Sequence, residues 1–88
     1  MICRVALHEQ TPGSVASEEA RGFREWIKGQ PGFVGGYHAQ DFETGRMISV
    51  IVWESKESMM ALGDQTPPGG PVGITTDRLE FFDVVEEF

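Results

Sequence analysis

Asparagine is absent from these 88 residues, cysteine occurs once, histidine twice, and Lys and Arg together number 7 against 14 acids. Each scarcity excludes something. A lone Cys3 cannot close an internal disulfide, the staple on which many small secreted domains depend. The cations Arg4, Arg21, Arg24, Lys28, Arg46, Lys56 and Arg78 are scattered along the chain. With a net charge of −7 they predict no nucleic-acid partner and no anionic membrane partner, since both need clustered Lys and Arg. No apolar run approaches the roughly 18 residues of a spanning helix. The segment from Met1 to Glu9 turns polar too early for a secretory leader, and with the unpaired thiol this leads to the expectation of a cytoplasmic protein. His8 and His38 lack ligand spacing, so no metal site is expected.

What is present suits one folded domain over residues 1–88. Hydrophobic content of 40% and charged content of 24% are ordinary for globular chains. A domain of this size buries only about 60–65% of its unfolded surface, so a partner chain is the expected source of further burial.

Ile2 to Glu9 is rich in β-formers and reads as a strand, stopped by Gln10-Thr11-Pro12-Gly13. Ala16, Ala20, Phe23 and Ile27 then recur at helical spacing. Ser14 can cap that helix, Gly29 stands where a left-handed terminating residue is expected, and Pro31 prevents continuation. Phe33 to Phe42 and Arg46 to Trp53 form a hairpin around Glu43-Thr44-Gly45. The run Met47 to Trp53 is apolar at nearly every position, the pattern of a strand covered on both faces. Ser55 caps a short helix, Lys56 to Leu62, stopped by Gly63. Residues 63–76 hold three prolines and four glycines and read as a loop, either a pocket lid or a linker. Arg78 to Phe88 reads as the last strand, its acids discouraging edge pairing, with Met47, Met59 and Met60 as core filler.

The order β-α-β-β-α-β predicts an α+β, ferredoxin-like fold: a four-stranded antiparallel sheet with two helices on one face. Three occupants of that plan are excluded by residue. RNA-recognition modules need basic strands with stacking aromatics, copper chaperones need paired thiolates, and acylphosphatases need an asparagine.

Gln30-Pro31-Gly32-Phe33-Val34-Gly35-Gly36-Tyr37, followed by Val50 to Ser58 with its Trp53-Glu54-Ser55-Lys56-Glu57, is more specific. A Pro-Gly-Phe-x-Gly after the first helix and a Trp-x-Ser-x-Glu after the third strand resemble the dimeric α/β-barrel superfamily, in its antibiotic-biosynthesis-monooxygenase-like group. The resemblance covers about residues 1–62. It implies a homodimer with facing sheets, a dimeric α/β barrel, and in each subunit a cavity between sheet and helices for a small aromatic ligand. The implied activity is cofactor-free monooxygenation of a small aromatic or polyketide-like compound; the alternative is a non-catalytic homodimeric binding or structural module. The asparagine used by several members is missing here, and the helix Lys56 to Leu62 lacks the histidine of the haem-degrading branch, so no cofactor is expected.

Such an oxygenase needs a base that removes a proton from a phenol or activated carbon acid, and a desolvating, orienting pocket. The candidate bases are His38 and His8; the candidate pocket residues are Trp53, Tyr37, Trp26 and Phe23. The competing reading makes the histidines ordinary strand residues and the aromatics packing. Strand parity constrains the choice. A three-residue turn at 43–45 places Tyr37 on the Trp53 face, whereas a four-residue turn at 42–45 pairs Asp41 with Arg46, with an ion pair expected between them, and places His38 there. Both stand open on the sequence.

Overall fold

A computed structural model describes residues 1–9, 18–62 and 77–88 of the chain. The elements run β1 (Ile2–His8), α1 (Glu18–Lys28), β2 (Phe33–Gln40), β3 (Met47–Trp53), α2 (Lys56–Leu62) and β4 (Arg78–Asp83). The four strands form one antiparallel sheet in the order β2-β3-β1-β4. This is the ferredoxin-like plan that the element order predicts. The turn at 10–13, the Ser14 cap, Ala16, the Ala20 side chain, the Gly63 stop and the loop 63–76 lie outside what is described.

Alternation along the strands sorts side chains onto two faces. Ile2, Ala6, His8, Met47, Ser49, Ile51 and Trp53 are buried on one of them. Both helices pack there: Ile27 of α1 joins Ile2, Ile51 and Trp53 in the core, with Phe23, Trp26, Phe33, Met59 and Leu62 packed against it. The opposite face carries Cys3, Val5, Leu7, Ile48, Val50 and Val52, all half-buried, and no described element covers it. The expectation that β3 is covered on both faces is met on one face within this chain.

Three local expectations are corrected. Gly29 is not left-handed, because the last turn of α1 closes with i→i+3 bonds instead: Gly29 N–H to the Trp26 carbonyl at 3.2 Å and Gln30 N–H to the Ile27 carbonyl at 3.1 Å. The left-handed residue is Gly32 (φ 83°), in the turn into β2. Met60 is 63% exposed, since it stands one position past the core-facing Met59 and is rotated to the solvent side of α2. The last strand ends at Asp83 rather than Phe88. Val84 N–H still reaches the Met1 carbonyl at 3.0 Å, but β1 begins at Ile2 and offers nothing further to pair with.

Ser55 does cap α2, its Oγ accepting the Ser58 N–H at 3.1 Å. The β2–β3 turn rests on Asp41. Asp41 N–H donates to the Arg46 carbonyl and Gly45 N–H donates to the Asp41 carbonyl, both at 2.8 Å. The Asp41 carboxylate accepts the Glu43 N–H at 2.9 Å, and Gly45 supplies the left-handed turn residue (φ 79°). The side-chain ion pair expected between Asp41 and Arg46 does not form; Arg46 reaches Glu9 at 3.1 Å, beside the end of β1. Asp41→Ala and Gly45→Ala should each cost about 1 kcal/mol in urea unfolding. Phe42→Ala, at a residue 76% exposed in the same turn, should stay within about 0.5 kcal/mol.

Candidate functional site

The turn determines which side chains share a face. Asp41 pairs with Arg46, and the ladder continues as Gln40 with Met47, His38 with Ser49, and Gly36 with Ile51. The open choice of register is thus resolved to the four-residue turn, and His38 lies on the helix-covered face with Trp53. Tyr37 pairs with Val50, belongs to the opposite face, and is 78% exposed. A register shift between Phe33 and Gly35 then brings Phe33 opposite Trp53, their rings edge-on at 6.0 Å.

Between α1 and β2 this arrangement leaves an open cavity of about 360 Å³. Helix α1 contributes Phe23, Arg24, Ile27 and Lys28. The floor comes from Phe33, Gly36, His38 and Ile51, and Tyr37 borders it. Gly36 is the reason for the space. It stands on the cavity face between Phe33 and His38, and a Cβ there would come within 2.5 Å of the Val50 carbonyl oxygen. Only a residue without a side chain fits so close to the neighbouring strand, and the missing side chain leaves the volume open.

His38 is the titratable group of that floor. Its ring lies nearly parallel to Phe23, 23° between planes and 6.0 Å between centroids. Burial, then the positive charge of Arg24, then His8, hold its pKa below the ordinary 6.5. Its Nδ1 is shut off from solvent and has no hydrogen-bond partner among the described residues. A doubly protonated imidazole would need an acceptor at both nitrogens, so the missing partner acts in the same direction as burial. At neutral pH His38 is a neutral imidazole with one unprotonated nitrogen.

The other candidates lie elsewhere. His8 is buried opposite Met47 on the same face, away from the cavity lining, and acts on His38 through its charge. Phe23 lines the cavity. Trp26 is half-buried in the layer behind it, 6.2 Å from the Phe23 ring. Trp53 is 1% exposed and belongs to the core, touching the cavity only through Phe33 and Ile51. Its indole N–H is buried without a partner among the described residues. Residue-type reasoning passed over Arg24, Lys28 and Gly36. The signal for the first two was present: they are spaced i, i+4 and each follows a residue of the Phe23–Ile27 stripe.

Solved structures share this fold. The haem-degrader MhuD from Mycobacterium tuberculosis, with two hemes bound in its active site, superposes with a TM-score of 0.64 at 21% identity, over 100% of this chain and 99% of that one. A mutant of MhuD with two manganese protoporphyrins bound per active site gives 0.64 at 22% identity, covering 100% and 98%. A protein from Deinococcus radiodurans classed as an antibiotic biosynthesis monooxygenase gives 0.64 at 12% identity, covering 100% and 96%. No family model matches the chain, and no curated protein does. The likeness is one of fold, and it agrees with the resemblance carried by the Pro-Gly-Phe and Trp-Glu-Ser motifs.

The sign of the His38 shift fixes a pH dependence. A pKa lower in the folded chain than in the unfolded one means that the unfolded chain binds more protons. The associated stability is complete above about pH 6.5 and is lost as pH falls through the folded pKa. An NMR titration should place the His38 imidazole midpoint below 6.5, and His38→Gln should flatten the acid side of the stability profile over that window.

Proposed function

We propose that the protein is a cofactor-independent monooxygenase acting on a small aromatic or polyketide-like compound held in the α1–β2 cavity. The observation that carries this reading is His38: a neutral imidazole, stacked on Phe23, in the floor of a mostly apolar cavity. A neutral imidazole in a desolvated wall is a competent general base for a phenol or a carbon acid conjugated to an aromatic ring.

The chemistry balances without an external reductant. His38 removes a proton from the activated CH2 of the substrate, and the resulting carbanion transfers electrons to dioxygen and forms a C–O bond. The peroxide takes the proton back from His38 and eliminates water, leaving a carbonyl. One oxygen atom enters the product, the other leaves as water, and the substrate is the reductant. Phe23, Ile27, Phe33 and Ile51 exclude water and present flat or branched apolar walls to the ring.

The porphyrins held by two of the neighbours do not fit these residues. Haem iron needs an axial His, Cys, Met or Tyr. Helix α2 carries no histidine, its Met59 is packed into the core, and the Nδ1 of His38 in the cavity floor is shut off from solvent. The cavity stands at the small end of ligand sites, suited to two or three fused rings rather than a macrocycle. Among the described residues no group of three or more His, Cys, Asp or Glu could hold a metal ion.

We also propose that the protein works as a homodimer. The uncovered sheet face is apolar across Val5, Leu7, Ile48, Val50 and Val52, with Phe82 52% exposed beside them on β4. A second copy packed sheet to sheet at about 10 Å supplies the missing cover.

In metal-free buffer, oxygen uptake with anthrone-type substrates should proceed in the unmodified protein and fall at least about 100-fold in His38→Ala. His8→Ala should retain most of the rate. Binding without uptake across such a panel would support the non-catalytic module instead. Sedimentation should report a dimer, and Val50→Asp should convert it to monomer while the unmodified chain remains dimeric at micromolar concentration.

A further inference from the structure

The cavity is charged against the trend of the molecule. The chain carries two acids for every base, yet the described cavity lining holds two cations, Arg24 and Lys28, and no carboxylate. Both come from one face of α1, at positions i and i+4, one helical turn apart. Glu25 pairs with Lys28 at 3.5 Å, but both side chains are more than 60% exposed and Glu25 is not part of the lining. Arg24 is half-buried and close enough to His38 to act on it electrostatically. The remaining lining is apolar or aromatic, with Phe23 and His38 offering nearly parallel ring faces.

We propose that the cavity selects planar aromatic compounds that carry an acidic substituent, with Arg24 holding the anion and Lys28 assisting at the rim. A guanidinium in a partly desolvated wall pairs strongly with a carboxylate or phenolate, because a charge-assisted hydrogen bond there meets less competition from water. Lys28 is exposed and screened by water, whereas Arg24 is half-buried, so the contribution of Lys28 is the smaller one. The neutral His38 matters here too, since it leaves the two cations as the positive charges facing the ligand. This assignment of substrate class rests on reading the cavity as the substrate site, but not on the oxygen chemistry.

Calorimetric titration of the full chain with 2-naphthoate and with 2-naphthalenemethanol, equal in ring shape and different in charge, separates the two questions. Neither probe has an activated ring-conjugated carbon acid of the kind His38 would deprotonate, so both report recognition alone. The acid should bind about tenfold more tightly than the alcohol at about 50 mM salt, and the advantage should shrink at about 500 mM. Arg24→Gln should remove most of that advantage, Lys28→Gln about a factor of two, and Arg24→Lys should keep part of it. Affinity for the alcohol should fall far less than affinity for the acid in all three variants, and retained alcohol binding also reports that they are folded. Equal affinity for the two probes, no measurable binding of the acid at millimolar concentration, or an acid preference that survives the double Arg24→Gln/Lys28→Gln variant would overturn the proposal. Failure of oxygen uptake leaves these results untouched, so the two readings fail separately.

Discussion

Asp41 and Gly45 close the β2–β3 turn with four residues between the last paired positions, and that count decides what every β2 side chain faces. Side chains alternate with a period of two, so one residue more or fewer in the turn would exchange the two faces of β2. With Asp41 paired to Arg46, Gly36 and His38 enter the space under α1, and Tyr37 belongs to the opposite face and only borders that space. The cavity, the depressed basicity of His38 and its stacking on Phe23 all follow from this register. A small apolar sheet tolerates little error here, because a slip would bury Tyr37 against α1 and turn His38 toward the uncovered face.

The helix-covered face is divided along its length. At one end Ile2, Ile51 and Trp53 meet Ile27 in a dry core, with Met59 and Leu62 of α2 closing over it. Toward the other end the same strands carry Ser49, His8, His38 and Gln40. Burying polar groups is costly unless they are paired or put to use. Their concentration on one part of a face whose other part is mainly apolar, with Arg4 opposite Ile51 as its half-buried charge, is the pattern of a site, with packing and chemistry divided along the same strands. The uncovered face has no such division. It is apolar along β1 and β3, the surface on which the proposed second copy would pack.

Much of this is legible in the residues, and the unread part has physical causes. The element order follows from period changes at α1 and from the Ser55 cap, both local signals, and it is enough for the fold. The hairpin register is different: Gly45 is left-handed in either turn, so its identity does not discriminate. The discriminating contacts are backbone bonds that exist only once the strands pair. Arg46 illustrates the same limit, since its partner Glu9 lies just past the end of β1, far away in sequence, rather than across the turn. Strand end-points at β4 depended on where β1 begins. Trp53 drew attention as the largest motif residue and is a core residue, while Gly36, with no side chain to notice, makes room for the cavity. Arg24 and Lys28 look like ordinary solvated cations until α1 is laid against β2.

The central claim is that the ligand space lies under α1 against His38, on the face that Tyr37 does not share. Intermolecular NOEs between a bound planar aromatic acid and the assigned side chains of the protein test it most directly. The account predicts cross-peaks from the ligand ring to the His38 and Phe23 rings and none to Val50 or Val52. Cross-peaks to Tyr37 together with Val50 and Val52, and none to His38, would place the ligand on the opposite face and contradict it.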